Sequence, residues 1–169
     1  MAGTLKVGGK VLATHNSETD EVSLASDTKF SSGTPIKIAY QSYTTSTPIA
    51  ANGNTFTASG LNKDFSISSA NNQILIFGYV TVNHGYTADN SFKLEILADS
   101  TPIFTEPSTS EYGNGDGNES YTFKMYFNFL YSPNTTASTN YSIRVSSSNG
   151  ATAQPSSVPS TMTIMEISG

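Results

Sequence analysis

The chain has 169 residues, only 12% of them charged, a formal net charge of −5 and no cysteine. It is long enough to bury a core without covalent staples, and it lacks thiol chemistry and cysteine-type zinc sites. Its basic residues, seven lysines and Arg144, are scattered, so no basic patch is available to displace the counterions of nucleic acid. No apolar run approaches the ~20 residues of a membrane-spanning helix. The opening Met-Ala-Gly-Thr-Leu-Lys has no signal-peptide core, so neither a nucleic-acid nor a membrane partner is expected, and synthesis in a cytoplasm is.

In chain order, residues 5–13 alternate loosely, with Leu5, Val7 and Val11 set against Leu12, and Gly8-Gly9 suggesting a kink or bulge. A polar loop over residues 14–21 leads to a short strand around Val22 and Leu24. Residues 1–30 hold too few apolar anchors for a core of their own. They are expected to form either an edge hairpin of the main domain or an extended N-terminal arm that docks on a partner, with residues 31–169 as the domain itself. From Pro35 the pattern sharpens. Ile36, Ile38 and Tyr40 alternate with Lys37, Ala39 and Gln41, and Asn52-Gly53-Asn54 marks a turn. Phe56 and Leu61 lie in short extended pieces, and Phe65 and Ile67 in another.

Residues 73–83 are apolar on both strand faces: Leu75, Phe77 and Tyr79 on one, Ile74, Ile76, Val80 and Val82 on the other. A strand of a single sandwich needs only one apolar face, so the second face calls for a cover, from the arm or from another subunit. Residues 91–99 alternate cleanly, and residues 102–107 form a short extended segment. In residues 121–131, Tyr121, Phe123, Met125, Phe127, Phe129 and Tyr131 share one face, a wall of large side chains, with Tyr126 and Leu130 on the other. Period two over such a length predicts a strand crossing a whole sheet. Tyr141, Ile143 and Val145 open another strand, residues 147–159 read as a Ser/Gly/Pro loop, and Met162, Ile164, Met165 and Ile167 lie in the closing strand. About ten short strands and no helical period predict an all-β, antiparallel sandwich, and a jelly roll answers its edge-strand problem.

Chemistry is sparse. His15 and His84 lie in stretches read as polar loops, without a carboxylate or second histidine at metal spacing. Glu111, Asn114, Asp116, Asn118 and Glu119 make an oxygen-rich, glycine-rich run, but not at EF-hand spacing. No carboxylate pair and no G-x-S-x-G elbow can be placed. No catalytic residue, metal or cofactor is therefore expected, and the chain is read as a non-enzyme.

Three segments resemble structural proteins of tailed bacteriophages, many from marine hosts: Thr4-Leu-Lys-Val-Gly-Gly-Lys-Val-Leu-Ala13, the stretch holding Ser59-Gly-Leu61, Phe65-Ser-Ile67 and Asn72-Gln-Ile-Leu-Ile-Phe77, and Pro159-Ser-Thr-Met-Thr-Ile-Met-Glu-Ile-Ser-Gly169. That resemblance implies a jelly roll similar to tumour-necrosis-factor and complement heads, usually a homotrimer, without catalytic residues. It leads to the expectation of a capsid decoration or cement protein on the virion surface. Leu5, Val7, Val11, Leu12, Val22 and Leu24 would contact the major capsid protein. Ile74, Ile76, Val80, Val82, Tyr126, Met162 and Ile164 would line the trimer interface. The alternative is a short tail fibre or appendage head that joins tail proteins and reads a host receptor or glycan through Tyr86 and Tyr112.

Overall fold

The structure, a computed structural model, describes residues 3–7, 10–16, 21–24, 31–45, 49–51, 53–85, 90–106, 109–111, 120–148, 151–154 and 157–169, and for the N-terminal unit the backbone alone. The chain divides into two compact units, Met1–Ser32 and Gly33–Gly169.

The first unit is an antiparallel three-stranded sheet in the order β1 (Gly3–Val7), β2 (Lys10–Asn16), β3 (Glu21–Leu24). Val7 and Lys10 are register partners, so β1 and β2 are two antiparallel strands instead of one strand with a kink. Leu5, Val7, Val11, Leu12, Val22 and Leu24 all lie on these strands, and His15 lies in β2 rather than in a loop.

The second unit is built on eight strands: β4 (Pro35–Tyr43), β6 (Thr57–Phe65), β7 (Gln73–Gly85), β8 (Asn90–Ala98), β9 (Thr101–Thr105), β11 (Ser120–Tyr131), β12 (Thr139–Ser147) and β14 (Ser160–Ile167). They pair from the outside inward: first with last, β4 with β14; second with seventh, β6 with β12; third with sixth, β7 with β11; fourth with fifth, β8 with β9. All these ladders are antiparallel. Lateral pairing of β14 with β7 and of β12 with β8 gathers the nested hairpins into two sheets, β4-β14-β7-β11 and β6-β12-β8-β9. This nesting is a jelly roll, the double-sheet solution to exposed strand edges. Three short strands extend it: β5 (Ile49–Ala51), β10 (Thr109–Glu111) and β13 (Ala151–Gln154). β13 occupies part of the stretch read as loop, and β6 is one strand where separate short pieces were expected.

Two backbone features explain that single β6. The ladder to β12 slips between Ser142 and Arg144, and Gly60 sits in the bulge at φ +86, with the Tyr43 ring where a Cβ would go. The hairpin turn between β8 and β9 places Asp99 at φ 54. Its Oδ1 accepts from the Asn140 amide at 2.9 Å, an arrangement that suits the short polar side chain of aspartate to a left-handed position.

The core lies between the two sheets. Ile74, Ile76, Val80 and Val82 of β7 and Met162 and Ile164 of β14 are at most 1% exposed. Phe92, Leu94 and Ile96 face them from β8, and Tyr141, Ile143 and Val145 from β12. The odd positions of β11 form the expected wall. Phe123 meets Phe92 edge-on at 5.1 Å, Phe129 packs on Phe104 at 4.9 Å, and Tyr131 meets Tyr141 at 6.5 Å, which ties the sheets together ring to ring. Burial pushes the Tyr141 phenol up to about 12, against the opposing effect of its hydrogen bond to Thr139. Ile74, Ile76, Val80, Val82, Met162 and Ile164 are thus buried by their own chain. They are sandwich core and not a subunit interface, because the even face of β7 is the one turned inward.

Candidate interaction surface

The outer face of the β4-β14-β7-β11 sheet follows from register alone, since directly opposed residues share a face. One row runs Ile38, Met165, Leu75, Leu130; the next Tyr40, Thr163, Phe77, Asn128; the third Ser42, Thr161, Tyr79, Tyr126. All the large hydrophobic side chains that stand exposed among the described residues lie in these rows: Ile38 at 60%, Tyr40 at 59%, Tyr126 at 67% and Leu130 at 49%. Four strands spaced about 4.8 Å, with rows about 6.8 Å apart, give a footprint on the order of 400 Å². Eight of the twelve positions are apolar or aromatic, a patch in the size range of the largest on an ordinary monomer, where such patches are often functional.

In β4 the apolar set and the more polar set lie on unexpected sides of the sheet. Ile38 and Tyr40 point outward, while Lys37 and Gln41 lie on the inward-turned parity at the sandwich rim. Their polar ends are satisfied there. The Lys37 amine donates to the Ser66 carbonyl at 2.9 Å and sits 4.6 Å from the Phe65 ring, and Gln41 Oε1 accepts from the Asn62 amide at 2.7 Å.

Lys124, exposed on β11, is the single charged side chain on this outer face among the described residues. Its Nζ rests 4.1 Å from the centre of the Tyr79 ring, a cation–π contact. Tyr79 in turn meets Tyr126 edge-on at 5.8 Å. A groove of about 690 Å³ is lined by Phe77, Tyr79, Tyr126, Asn128, Thr161 and Thr163. It reaches past β11, which pairs with β7 alone, to Phe104 and Glu106 from the second sheet. Burial raises the Glu106 carboxyl above its ordinary value, and among the described residues nothing donates to that carboxylate.

The other outer face is of a different kind. Glu95, 5% exposed, is gripped by Arg144 through Nε at 2.8 Å and through its second nitrogen, and accepts from the Thr105 hydroxyl at 3.3 Å. Asn140 donates to Asp64 at 2.6 Å. At the rim, the fully buried Glu166 accepts from the Ser68 amide and hydroxyl, both at 2.6 Å, and from Asn72 Nδ2 at 2.7 Å. Glu95 and Asp64, and Glu166 through one of its oxygens, thus hold strands and loops in place.

Of the residues singled out from sequence, Tyr126 alone of the expected interface set is exposed. Leu75, Phe77, Ile38 and Tyr40 lie with it on the outer face. Tyr86, Tyr112 and residues 113–119 lie outside the described residues, as do the side chains of the N-terminal strands, Glu111 and His84. The backbone of His84 belongs to β7 rather than to a loop. Among the described residues no three histidines or carboxylates cluster to hold a metal.

No known family model matches the chain, and no curated protein matches it. Similar solved structures include the infectious bursal disease virus VP2 subviral particle, with a TM-score of 0.49 and 13% identity over 87% of this chain and 35% of that chain. The Gx strain of infectious bursal disease virus gives 0.48 and 11% over 95% and 43%. Dimeric latent PorU from Porphyromonas gingivalis gives 0.35 and 9% over 98% and 19%. The chain thus spans between a third and a half of the VP2 chains. These findings overturn the resemblance to tailed-bacteriophage proteins, and with it the tail-fibre reading, because the viral structures that are similar belong to a different virus. The segments behind that resemblance are short alternations of Gly, Ser, Thr and aliphatic residues, which any edge-rich β protein repeats. The jelly-roll assignment stands on this chain's own strand order.

Proposed function

We propose that the chain is a non-enzymatic structural protein of a virion that assembles by burying the outer face of its β4-β14-β7-β11 sheet against further copies of itself, three around an axis. One observation carries the assembly: every exposed large hydrophobic among the described residues is on that one face. Ile38, Tyr40, Tyr126 and Leu130, each about half to two-thirds exposed, stand to gain about 1 kcal/mol apiece on burial. The apolar surface also turns the corner at β11 to reach Phe104. A twofold contact buries a face against itself, whereas a ring sets a face against a neighbour's flank, and a surface that turns a corner suits the ring. The virion setting rests on fold analogy, since jelly rolls serve as capsid and lectin domains and as cupins. A cupin metal centre finds no cluster here among the described residues, and the uncharged, Ser/Thr-rich composition suits a packed shell. The separate N-terminal unit is assigned the contact with the major capsid protein, as a decoration or cement subunit that stabilises the shell by binding it assembled.

The test is native mass spectrometry of the full chain beside Tyr126→Asp and Leu130→Asp. The wild type is expected as a trimer, and each variant as a monomer that melts where the dilute, dissociated wild type does. Variants that remain trimeric would remove this face from the assembly. Removal of residues 1–32 is expected to leave the trimer and abolish binding to shells, and unimpaired binding would take the N-terminal unit out of the account.

A further inference from the structure

The groove on this face is uneven in charge. Among the described residues, Glu106 is the one carboxylate in its lining, which it shares with the rings of Phe77, Tyr79 and Tyr126 and with the uncharged Asn128, Thr161 and Thr163. Ring faces carry negative potential. A carboxylate without a donor beside such faces is a seat for a cation, with the carboxylate supplying the net charge and the rings a desolvated lining. That the rings here accept an ammonium is visible within one chain, where Lys124 Nζ lies 4.1 Å from the Tyr79 centroid. Lys124 is also the one cation that this face carries among the described residues. Copies of a chain with net charge −5 repel one another on approach, so a cation delivered into an acidic groove both offsets the repulsion and fixes the register of the contact.

We infer that, in the self-association proposed above, the Lys124 ammonium of one copy enters the groove of its neighbour and pairs with Glu106. The inference rests on that reading of the face and adds to it a specific ionic contact. It makes the assembly weaken as salt rises, whereas an interface of Ile38, Tyr40 and Leu130 alone, between chains of like net charge, would strengthen.

The experiment is sedimentation equilibrium on the full chain, at about 50 and about 500 mM salt, for the wild type, Glu106→Gln, Lys124→Gln and the double variant. Each single substitution is expected to weaken association about tenfold at low salt and to abolish its weakening as salt rises. The double variant is expected to be no weaker than either single one, because both remove the same pair. Unchanged association in the single variants, or losses that multiply in the double, would overturn the pairing while leaving self-association intact. A wild type that stays monomeric at every concentration would instead overturn the assembly itself. Melting of the dilute monomers supplies the remaining control. Coupling between the two substitutions in that measurement would place the pair within one chain and sink the inference.

Discussion

The two outer faces of the sandwich are made by the same fold from the same alternation of residues, and they solve opposite problems. On the β6-β12-β8-β9 side, polar groups close on one another: Arg144 on Glu95, Asn140 on Asp64. On the β4-β14-β7-β11 side, Ile38, Tyr40, Tyr126 and Leu130 stand in water with nothing from the described chain over them. The first face is finished within one chain, and its side chains contribute to folding. The second contributes little to folding in one chain, and its worth appears when something covers it. On the assembly proposed above, stability and association are separable by face.

Three measurements break or sharpen that contrast. The largest effect is expected on the finished face. Arg144→Ala leaves Glu95 buried without its partner, and removing one member of such a pair costs about 3 kcal/mol. Because Arg144 is itself 34% exposed, the loss is expected toward the low end of that class, read as a lower denaturant midpoint with association unchanged. Next comes the unfinished face. Tyr40→Ser combined with Leu130→Ser is expected to move the unfolding free energy of the dilute chain by less than about 1 kcal/mol, while assembly is lost. If that pair destabilises the monomer as much as Arg144→Ala does, the face belongs to the fold and the contrast fails. The smallest effect lies at Glu106. Its carboxyl is raised above the ordinary 4.5 by burial, so the folded state holds its proton more tightly than the unfolded state. Stability is then lost as pH rises from the ordinary value through the raised one, and below both values the site contributes nothing. Glu106→Gln is expected to raise the melting temperature slightly at pH 7 and not at pH 3. An equal gain at both would assign the effect to packing.

Much of the fold was legible because period two is robust where one face is plainly richer. The Phe123, Met125, Phe127, Phe129 wall is such a case, and it lies in the core as read. β7 defeated the same logic. Ile74, Ile76, Val80 and Val82 compete with Leu75, Phe77 and Tyr79, and periodicity says that two faces are apolar without saying which turns inward. A hint was present in the side chains: the β-branched set pack the pleated interior and the aromatic set went outside. In β4 the pattern pointed the wrong way, since Lys37 and Gln41 lie on the inward parity only because Ser66 and Asn62 lie within reach, and that proximity is made by the tertiary fold. β13 had no signal of its own. Ala151–Gln154 become a strand through pairing with β5 and with Asn83 of β7. The outer face was legible only as one of two apolar faces of β7, and the set expected at an interface, Ile74, Ile76, Val80 and Val82, is the one its own chain buries.

The nesting of first strand with last also sets a timetable. β14 lies between β4 and β7, so the sheet carrying the assembly face stays split while the chain is being made, with β4 waiting for a neighbour more than a hundred residues downstream. Contacts of such long sequence separation form slowly. A nascent chain on the ribosome exposes both the unpaired edge of β4 and the apolar side chains flanking the gap, the situation in which partly folded chains aggregate. In the assembly proposed above, subunits would join only after the final strand has slotted in, which orders the events: synthesis, closure of the sheet, then association.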